Sequence, residues 1–187
     1  FMAERGITLP LEDIDIMKGK NREAGFLETN PAGQSPCLVL DDGSVIAEIT
    51  AICEYLDEKF PGNSLIGATP EERAQTRRWT RWCDLNILEP LASGFRYSEG
   101  LPMFQSRMRC LPQAASGLKA KAQDGIAFMD AQLAARTFVA GEKFTLADVL
   151  LFCFLAFGGA VGQPLNPDFK NVARWYAVVG ARPGAKT

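Results

Sequence analysis

One segment of this chain, from Asn30 to Leu56, constrains the possible fold more than any other. It opens with a turn that contains proline and glycine, and a Ser-Pro bond then leads into an apolar run suited to a buried strand. An Asp-Gly pair predicts a tight hairpin turn, and apolar residues at helical spacing follow the second strand. We therefore predict a strand at Cys37–Leu40, a strand at Ser44–Ala47 and a helix at Glu48–Phe60, in that order.

Two motifs within this segment have a characteristic spacing. The first reads Asn30-Pro31-x-Gly33-Gln34-x-Pro36-x-Leu38, and the second reads Glu48-x-x-Ala51-Ile52-x-x-Tyr55-Leu56. At this separation, around an Asp-Gly turn and ahead of an all-helical segment, they resemble the glutathione-binding half of the cytosolic glutathione S-transferases. The resemblance extends over essentially the whole chain. Its short linker and compact second domain are compatible with a bacterial member of that family.

The resemblance implies a fold of the α/β plus all-α class. We expect a thioredoxin-like, glutathione-binding domain at residues 1–60, a linker at 61–69 and an all-helical domain with an electrophile pocket at 70–187. The chain opens with what reads as the end of a helix closed by Gly6, so we expect the family's first strand and catalytic loop to lie upstream. The imperfect alternation of Leu11–Ile16 predicts a further strand.

Caps and helix breakers define the helices of the second domain. The segment Thr69–Glu72 predicts a capping box at the start of a long helix, which Pro90 perturbs or kinks. A second long helix is predicted at Gln105–Leu133, despite the proline and the glycines within it. Thr145–Asp148 forms another capping box ahead of a buried apolar helix, and a final helix is predicted at Asp168–Val179.

Composition excludes several classes of function. The formal net charge of −2 and the pI near 5.3 create no field that would gather nucleic acid or anionic lipid. The sequence contains no histidine, which excludes imidazole bases and histidine metal ligands. Its longest uncharged apolar run, Val149–Val161, is shorter than the ~20 residues that a membrane-spanning helix needs. Five widely spaced cysteines fit reduced thiols in the cytosol. We predict no metal cofactor, no nucleic-acid partner and no membrane association.

The resemblance also implies how glutathione, the expected co-substrate, is held. A cis Ser-Pro bond turns the serine backbone toward the cysteinyl part of glutathione, and the helix start attracts the γ-glutamyl carboxylate. The glutamate at that helix start pairs with the γ-glutamyl ammonium, and a cation or amide meets the glycyl carboxylate. The expected glutathione-binding residues are Gln34, Ser35, Pro36, Glu48 and Ile49, with Lys18, Lys20 and Asn21 as alternatives to Gln34 at the glycyl end.

One position departs from the family pattern. The residue after the glutamate is normally a serine whose hydroxyl binds the γ-glutamyl carboxylate, whereas this chain has Ile49. The backbone amide survives this change, so we expect the loss of one hydrogen bond, on the order of 1 to 3 kcal/mol, and binding weaker by roughly tenfold or more. Thr50 is the nearest alternative hydroxyl. Without the resemblance, Glu48 would read as a simple complement of the helix dipole.

The catalytic residue is not named by this sequence. In the family, a serine, tyrosine or cysteine after the first strand lowers the pKa of the glutathione thiol, so the activator is expected upstream of Phe1. Cys37 and Cys53 read as structural thiols in a strand and a helix. Phe95 and Tyr97 suit a pocket for a hydrophobic electrophile, although Phe95 reads equally well as a core residue.

Two functions therefore remain open. The first is a cytoplasmic, homodimeric glutathione transferase that acts on small hydrophobic electrophiles, as in detoxification. The second is a glutathione-transferase-like binding or regulatory protein without transferase activity, which Ile49 favours. In the homodimer, Asp84 could reach toward the partner's glutathione. One helix carries a basic patch, which is read as a solvated face or a contact between protomers in preference to a nucleic-acid surface, because Glu71, Glu72 and Asp84 dilute its field: Arg73, Arg77, Arg78 and Arg81.

Overall fold

The computed structural model describes residues 1–186 and divides into two compact units, residues 1–64 and the part from Leu65 onward. The first unit combines a small sheet with helices and the second is helical, which confirms the predicted α/β plus all-α class. The elements of the first unit are α1 (Met2–Arg5), a 3₁₀ turn at Lys20–Arg22, α2 (Ala24–Thr29), β1 (Cys37–Val39), β2 (Val45–Ala47) and α3 (Ile49–Lys59).

The predicted hairpin is confirmed. β1 and β2 pair antiparallel, with Cys37 opposite Ala47 and Val39 opposite Val45. In the turn, Gly43 has a φ of 83°, which suits glycine, and its amide donates to the carbonyl of Leu40. The turn therefore fixes the register of the two strands. This register determines which residues lie at the open end of the hairpin, before β1 and after β2.

The strand predicted at Leu11–Ile16 is wrong. These residues are irregular, and in the part of the chain that the structure describes, β1 and β2 pair only with each other. Leu11 is 81% exposed, so the alternating apolar residues do not face a core. The pattern of the segment was that of a half-buried strand, but alternation alone forms no strand without a neighbour to supply hydrogen bonds.

A buried ion pair joins α1 to the end of α3. The Nε of Arg5 lies 2.9 Å from Oδ1 of Asp57, and both side chains are almost fully buried. The same guanidinium donates to the backbone carbonyls of Asp57, Phe60 and Asn63 at 3.2, 2.6 and 2.8 Å. These carbonyls lie at and beyond the end of α3, where helix carbonyls lack partners, so Arg5 acts as the cap of that helix.

The second unit is a bundle of helices with short irregular connections. Within residues 1–186, no helix is both long enough and apolar enough to cross a membrane. Its helices are α4 (Pro70–Cys83), a π-helical turn at Asp84–Leu88, α5 (Glu89–Arg96), α6 (Leu101–Phe104), a 3₁₀ turn at Pro112–Ala114, α7 (Ala115–Leu133), α8 (Leu146–Ala160), α9 (Lys170–Gly180) and a 3₁₀ turn at Pro183–Lys186.

The capping box predicted at Thr69–Glu72 is only half formed. The hydroxyl of Thr69 accepts a hydrogen bond from the Glu72 amide at 3.2 Å, and Pro70 occupies the first position of α4. The Glu72 carboxylate, however, accepts from the Ala68 amide instead of that of Thr69, and it also pairs with Lys143. The predicted start of the helix is thus confirmed. The hydrogen bond that the Glu72 side chain was expected to accept from the Thr69 amide comes instead from Ala68, one residue earlier in the chain.

The helix predicted at Gln105–Leu133 begins later than expected, because α7 starts at Ala115. Proline disfavours helical geometry in the residue before it, and Leu111 indeed has φ −123° and ψ 77°. Pro112 therefore opens a 3₁₀ turn that leads into α7, and the segment 105–111 is not helical.

Pro90 perturbs the long helix as predicted, and the perturbation takes the form of the π-helical turn before α5. Proline has no amide to donate to the residue four positions earlier, which is Asn86. The Asn86 carbonyl faces Gly125 of α7, where a Cβ would stand 2.5 Å from that oxygen and 2.8 Å from a side-chain carbon of Ile87. Gly125 is therefore the place where α7 packs against the π-helical turn.

The predicted capping box of α8 is confirmed, and its aspartate does more than cap. Asp148 is fully buried, and its carboxylate accepts hydrogen bonds from the Thr145 amide and hydroxyl, at 2.9 and 3.1 Å. It also accepts from the Val139 amide at 2.8 Å and from the Trp175 indole at 2.9 Å. Burial raises the pKa of Asp148, and these four hydrogen bonds oppose the rise because they favour the carboxylate.

Gly125 and Gly117 make a matched pair for testing the α7 contact. We expect Gly125→Ala to lower the free energy of unfolding by about 1 to 3 kcal/mol, because the new methyl group clashes with the π-helical turn. Gly117 lies in the same helix with no atom near its Cβ position, so Gly117→Ala is expected to raise stability by about 0.5 to 1 kcal/mol. Urea unfolding of both variants measures the two effects, and stabilisation by Gly125→Ala would contradict the packing.

Candidate functional site

Two buried asparagines hold the loop that leads into β1. The Nδ2 of Asn21 donates to the carbonyl of Gly33 at 2.6 Å, and the Nδ2 of Asn30 donates to the carbonyl of Gln34 at 2.7 Å. The Oδ1 of Asn30 accepts from the Ala32 amide at 3.2 Å. Both side chains are buried, so the backbone of the loop is fixed before the strand begins. Asn21, an alternative ligand for the glycyl end, already uses its amide as a donor to the loop.

The Ser35–Pro36 bond is cis, as the resemblance implied. Ser35 is exposed, and neither its amide nor its carbonyl has a hydrogen-bond partner within residues 1–186. Unpaired backbone groups next to a strand are available to an extended peptide. The side chain of Gln34 is also exposed and has no partner in the same residues.

The start of α3 presents free donors and a strained residue. The amides of Ile49, Thr50 and Ala51 have no acceptor in the described part of the chain, since the first hydrogen bond of the helix runs from Ile52 to Glu48. Glu48 has φ 71° and ψ 122°, and it is the one residue other than glycine with positive φ in the described structure. Such a conformation costs about 1 to 3 kcal/mol and is found preferentially at functional sites.

The side chains around this helix start are open to solvent. The Ile49 side chain is 42% exposed, so it is not part of the apolar core. The Glu48 carboxylate has no hydrogen-bond or ion-pair partner within residues 1–186. Lys18 and Lys20 form surface ion pairs with Asp15 and Glu23, at 3.1 and 2.8 Å. The hydrogen bond that the Lys20 ammonium donates to the Glu23 carboxylate raises the pKa of Lys20. Both lysines are thus partnered locally.

The register of the hairpin brings these pieces together. The ladder ends at the pair Cys37–Ala47, so the Ser35–Pro36 bond directly precedes, and Glu48 and the start of α3 directly follow, the same end of the hairpin. The unpaired backbone of Ser35 and the free amides of α3 therefore share one end of the hairpin. Sequence reasoning missed the positive φ of Glu48 and the two asparagines that support the loop; Asn30, directly before Pro31, was the available signal for such a turn.

In the helical unit, Phe95 lies in contact with other aromatic rings. Its ring is edge-on to Phe104 at 6.1 Å and to Phe157 at 5.6 Å between centroids. Tyr97 is half-buried at the end of α5, and its hydroxyl has no partner in the described residues. Phe95 is therefore part of the packing of this unit, while still being partly exposed, and the predicted pocket role of both residues stays a prediction.

The cysteines do not form a site. All five are free thiols; Cys53 is buried in α3, and Cys37 is half-buried in β1. Burial raises the pKa of the Cys83 thiol, and Asp148 and Asp84 raise it further, so this thiol is not a nucleophile at neutral pH.

Comparison with known proteins agrees with the geometry. Residues 1–59 match the family description "Glutathione S-transferase, N-terminal domain", and residues 113–183 match "Glutathione S-transferase, C-terminal domain". The fold and these matches define a protein with a thioredoxin-like unit and a helical unit. The chain belongs to the glutathione S-transferase family, as the resemblance in its sequence indicated.

Several relatives resemble the chain over most of its length. Glutathione S-transferase 2 of Saccharomyces cerevisiae is 31% identical over 175 residues, which are 92% of this chain and 74% of that protein. A crystal structure of a glutathione S-transferase domain-containing protein from Marinobacter aquaeolei has a TM-score of 0.92 at 33% identity, covering 97% of this chain and 90% of the other. The structure of Gtt2 from Saccharomyces cerevisiae has a TM-score of 0.92 at 30% identity, covering 99% and 90%.

A relative with a different name also matches. Elongation factor 1-gamma of Danio rerio is 30% identical over 171 residues, which are 89% of this chain. The chain spans only 36% of the length of that protein. The matched fold therefore occurs in proteins that are not named as transferases.

The strain at Glu48 is testable by comparing two substitutions. We expect Glu48→Gly to be more stable to urea than Glu48→Ala, by about 1 kcal/mol, because glycine accepts positive φ without a Cβ penalty. At Glu58, an exposed position inside α3, the order should reverse, because alanine is the better helix former by up to ~1 kcal/mol. The same order at both positions would contradict the strain.

Proposed function

We propose that this chain binds glutathione at the end of the hairpin and is part of a transferase for small hydrophobic electrophiles. The observation that carries the proposal is the pairing of Cys37 with Ala47 at the end of the hairpin, since the unpaired backbone of Ser35 comes two residues before this pair and the free amides of α3 begin two residues after it. A short peptide with a carboxylate needs both kinds of group at once: a strand edge for its backbone and a helix start for its charge.

Each part of glutathione has a partner in this arrangement. The backbone of Ser35 pairs with the cysteinyl residue, and the α3 amides, including that of Ile49, receive the γ-glutamyl carboxylate. Glu48 pairs with the γ-glutamyl ammonium, which gives a reason for holding this residue in a strained conformation. Gln34, beside the Ser35–Pro36 bond, meets the glycyl carboxylate.

The parts of the chain have separate roles in this proposal. Residues 1–60 would hold glutathione, residues 61–69 would link, and residues 70–187 would supply the face for the electrophile, with Phe95 and Tyr97 among its residues. The bound thiolate attacks an electrophilic carbon, and a carbon–sulfur bond replaces the bond to the leaving group. Free cysteines support a reducing compartment, and we propose a cytoplasmic, detoxifying enzyme.

A second candidate is a binding or regulatory protein without transferase activity. Two observations favour it: Ile49 replaces a hydroxyl that would bind the γ-glutamyl carboxylate, and elongation factor 1-gamma shares the fold. Because the α3 amides and the Ser35 backbone are independent of that side chain, the first proposal retains most of its contacts. Weakened glutathione binding, rather than its loss, is therefore the expectation we adopt.

Titration calorimetry with reduced glutathione tests this function. We expect Ile49→Thr to bind glutathione about tenfold more tightly than Ile49→Val, because the two side chains have the same shape and only threonine adds a hydroxyl for the carboxylate. Val is thus the control for the loss of the larger side chain. Absence of binding to all three proteins at millimolar glutathione would overturn the transferase proposal and leave the regulatory one.

We also propose that the protein is a homodimer through an apolar face formed by α4, the π-helical turn that follows it and α7. Leu85 and Phe128 are 46% and 45% exposed, and Phe128 lies 4.6 Å from the ring of Trp82. Exposed apolar side chains grouped in this way are typical of interfaces. In the monomer Asp84 pairs with Arg81 at 2.9 Å, so a contact from Asp84 to partner glutathione would require that pair to open.

Sedimentation equilibrium measures this association. We expect a dimer at micromolar concentration and a monomer for the Phe128→Glu variant, because a buried unpaired charge disfavours the contact. Leu11 is also exposed but lies in the other unit, so we expect the Leu11→Glu variant to remain dimeric. A monomeric wild-type protein would contradict the proposal.

A further inference from the structure

Two arginines of the helical unit pack against one buried indole. The guanidinium carbon of Arg78, in α4, lies 4.7 Å from the centre of the Trp79 ring, and that of Arg136, just beyond the end of α7, lies 4.8 Å from it. Trp79 is only 2% exposed and belongs to the apolar core, so the indole is a fixed support. The shared ring therefore holds two positive charges close together.

Neither charge is neutralised within residues 1–186. Arg78 and Arg136 have no acidic residue at ion-pair distance in this part of the chain. Arg78 donates to the side-chain oxygen of Gln75 at 3.4 Å, which is long for a charge-assisted hydrogen bond. The Nη1 of Arg136 is buried and has no hydrogen-bond partner at all in the described residues. A buried charged donor is costly to leave unsatisfied, so this pair of arginines lacks an acceptor.

The segment that carries Arg136 is held in place while part of its guanidinium stays accessible. Nη2 of Arg174, in α9, donates to the carbonyl of Leu133 at 2.7 Å and to that of Arg136 at 3.4 Å. Arg136 is half-buried, and among the described residues Nη1 is its one side-chain nitrogen that is both covered and unpartnered. Its Nε and Nη2 therefore remain open to a ligand from solvent.

The distribution of charge along the chain also favours an anion on the helical unit. Residues 65–187 contain 15 lysines and arginines against 10 aspartates and glutamates, whereas residues 1–64 contain 5 against 12. The small net charge of the whole chain thus conceals an excess of positive charge in the second unit. Such an excess attracts anions toward arginines that have no carboxylate of their own.

We propose that Arg78 and Arg136 bind the phosphate group of a small phosphorylated molecule. A phosphate monoester carries about two negative charges at neutral pH, which match two guanidinium groups. Each guanidinium fork donates two parallel N–H bonds to phosphate oxygens, whereas a monocarboxylate would neutralise one arginine alone. The site goes beyond the proposed glutathione site and does not depend on it, because both arginines belong to the helical unit.

Titration calorimetry with inorganic phosphate tests the site, at low ionic strength and without glutathione. We expect saturable binding of one phosphate per chain. Arg78→Met and Arg136→Met should each bind it at least tenfold more weakly, because each loses charge-assisted hydrogen bonds. Arg109→Met is the matched control: Arg109 is exposed in the same unit, its loss changes the net charge equally, and the affinity should stay that of wild type.

Two further measurements separate a guanidinium contact from a general effect of charge. Arg136→Lys keeps the charge but not the planar fork, so its affinity for phosphate should lie between those of wild type and Arg136→Met. This variant also carries the test if circular dichroism shows that the methionine variant is unfolded. Acetate, a monoanion, should bind wild-type protein at least tenfold more weakly than phosphate.

Several results would overturn the site. These are no binding of phosphate to wild-type protein at millimolar concentration, equal binding of acetate, or a loss of affinity in Arg109→Met as large as in Arg136→Met. A further one is that acidic residues of a second copy neutralise these arginines. Sedimentation equilibrium would then show dissociation of a dimer by Arg78→Met and Arg136→Met, and the wild-type dimer would bind no phosphate.

The failure of the proposed function would look different. Reduced glutathione should bind wild-type protein and Arg136→Met with the same affinity, because the proposed glutathione site uses none of these arginines. Loss of glutathione binding in both proteins, with phosphate still bound by wild type, would refute the glutathione site alone. Binding of glutathione to both, with no phosphate bound by wild type, would refute the phosphate site alone.

Discussion

A single buried carboxylate joins three segments of the helical unit. Asp148 accepts four hydrogen bonds, from Thr145 at the start of α8, from the chain before it at Val139, and from Trp175 of α9. An unpartnered carboxylate in this core would cost several kcal/mol, so the fold is stable only when all three segments are in place at once. Trp175 and Val139, which both donate hydrogen bonds to Asp148, belong to the same buried apolar core as Leu151.

In the first unit, the hairpin register is the corresponding constraint, and it links the fold to the proposed function. A shift of one residue would turn the side chains of one strand to the opposite face relative to its partner and change which residues end the hairpin. The Asp-Gly turn prevents this shift at one end, and the bonds of Asn21 and Asn30 hold the loop at the other. The proposed site depends on backbone groups, so we expect it to bind glutathione more weakly, but not to lose it, with isoleucine at position 49.

Local signals predicted most of the fold. The hairpin, the start of α4 and the capping box of α8 were all predicted, because their determinants lie within a few residues of one another. The strand at Leu11–Ile16 was wrong, because a strand requires a neighbour and the pattern says nothing about one. The early start given to α7 was wrong because the helical pattern was followed through Pro112, whose ring excludes helical geometry at Leu111.

The sequence by itself determined the family, the order of the elements and the candidate residues Gln34, Ser35, Pro36, Glu48 and Ile49, because motifs and caps are short-range. Only the tertiary structure decided that Glu48 is strained, that Gly125 is a packing contact and that Arg136 lies against Trp79. Each of these depends on residues distant in sequence or on a backbone angle. Packing in three dimensions sets such features, and no local pattern of residue types encodes them.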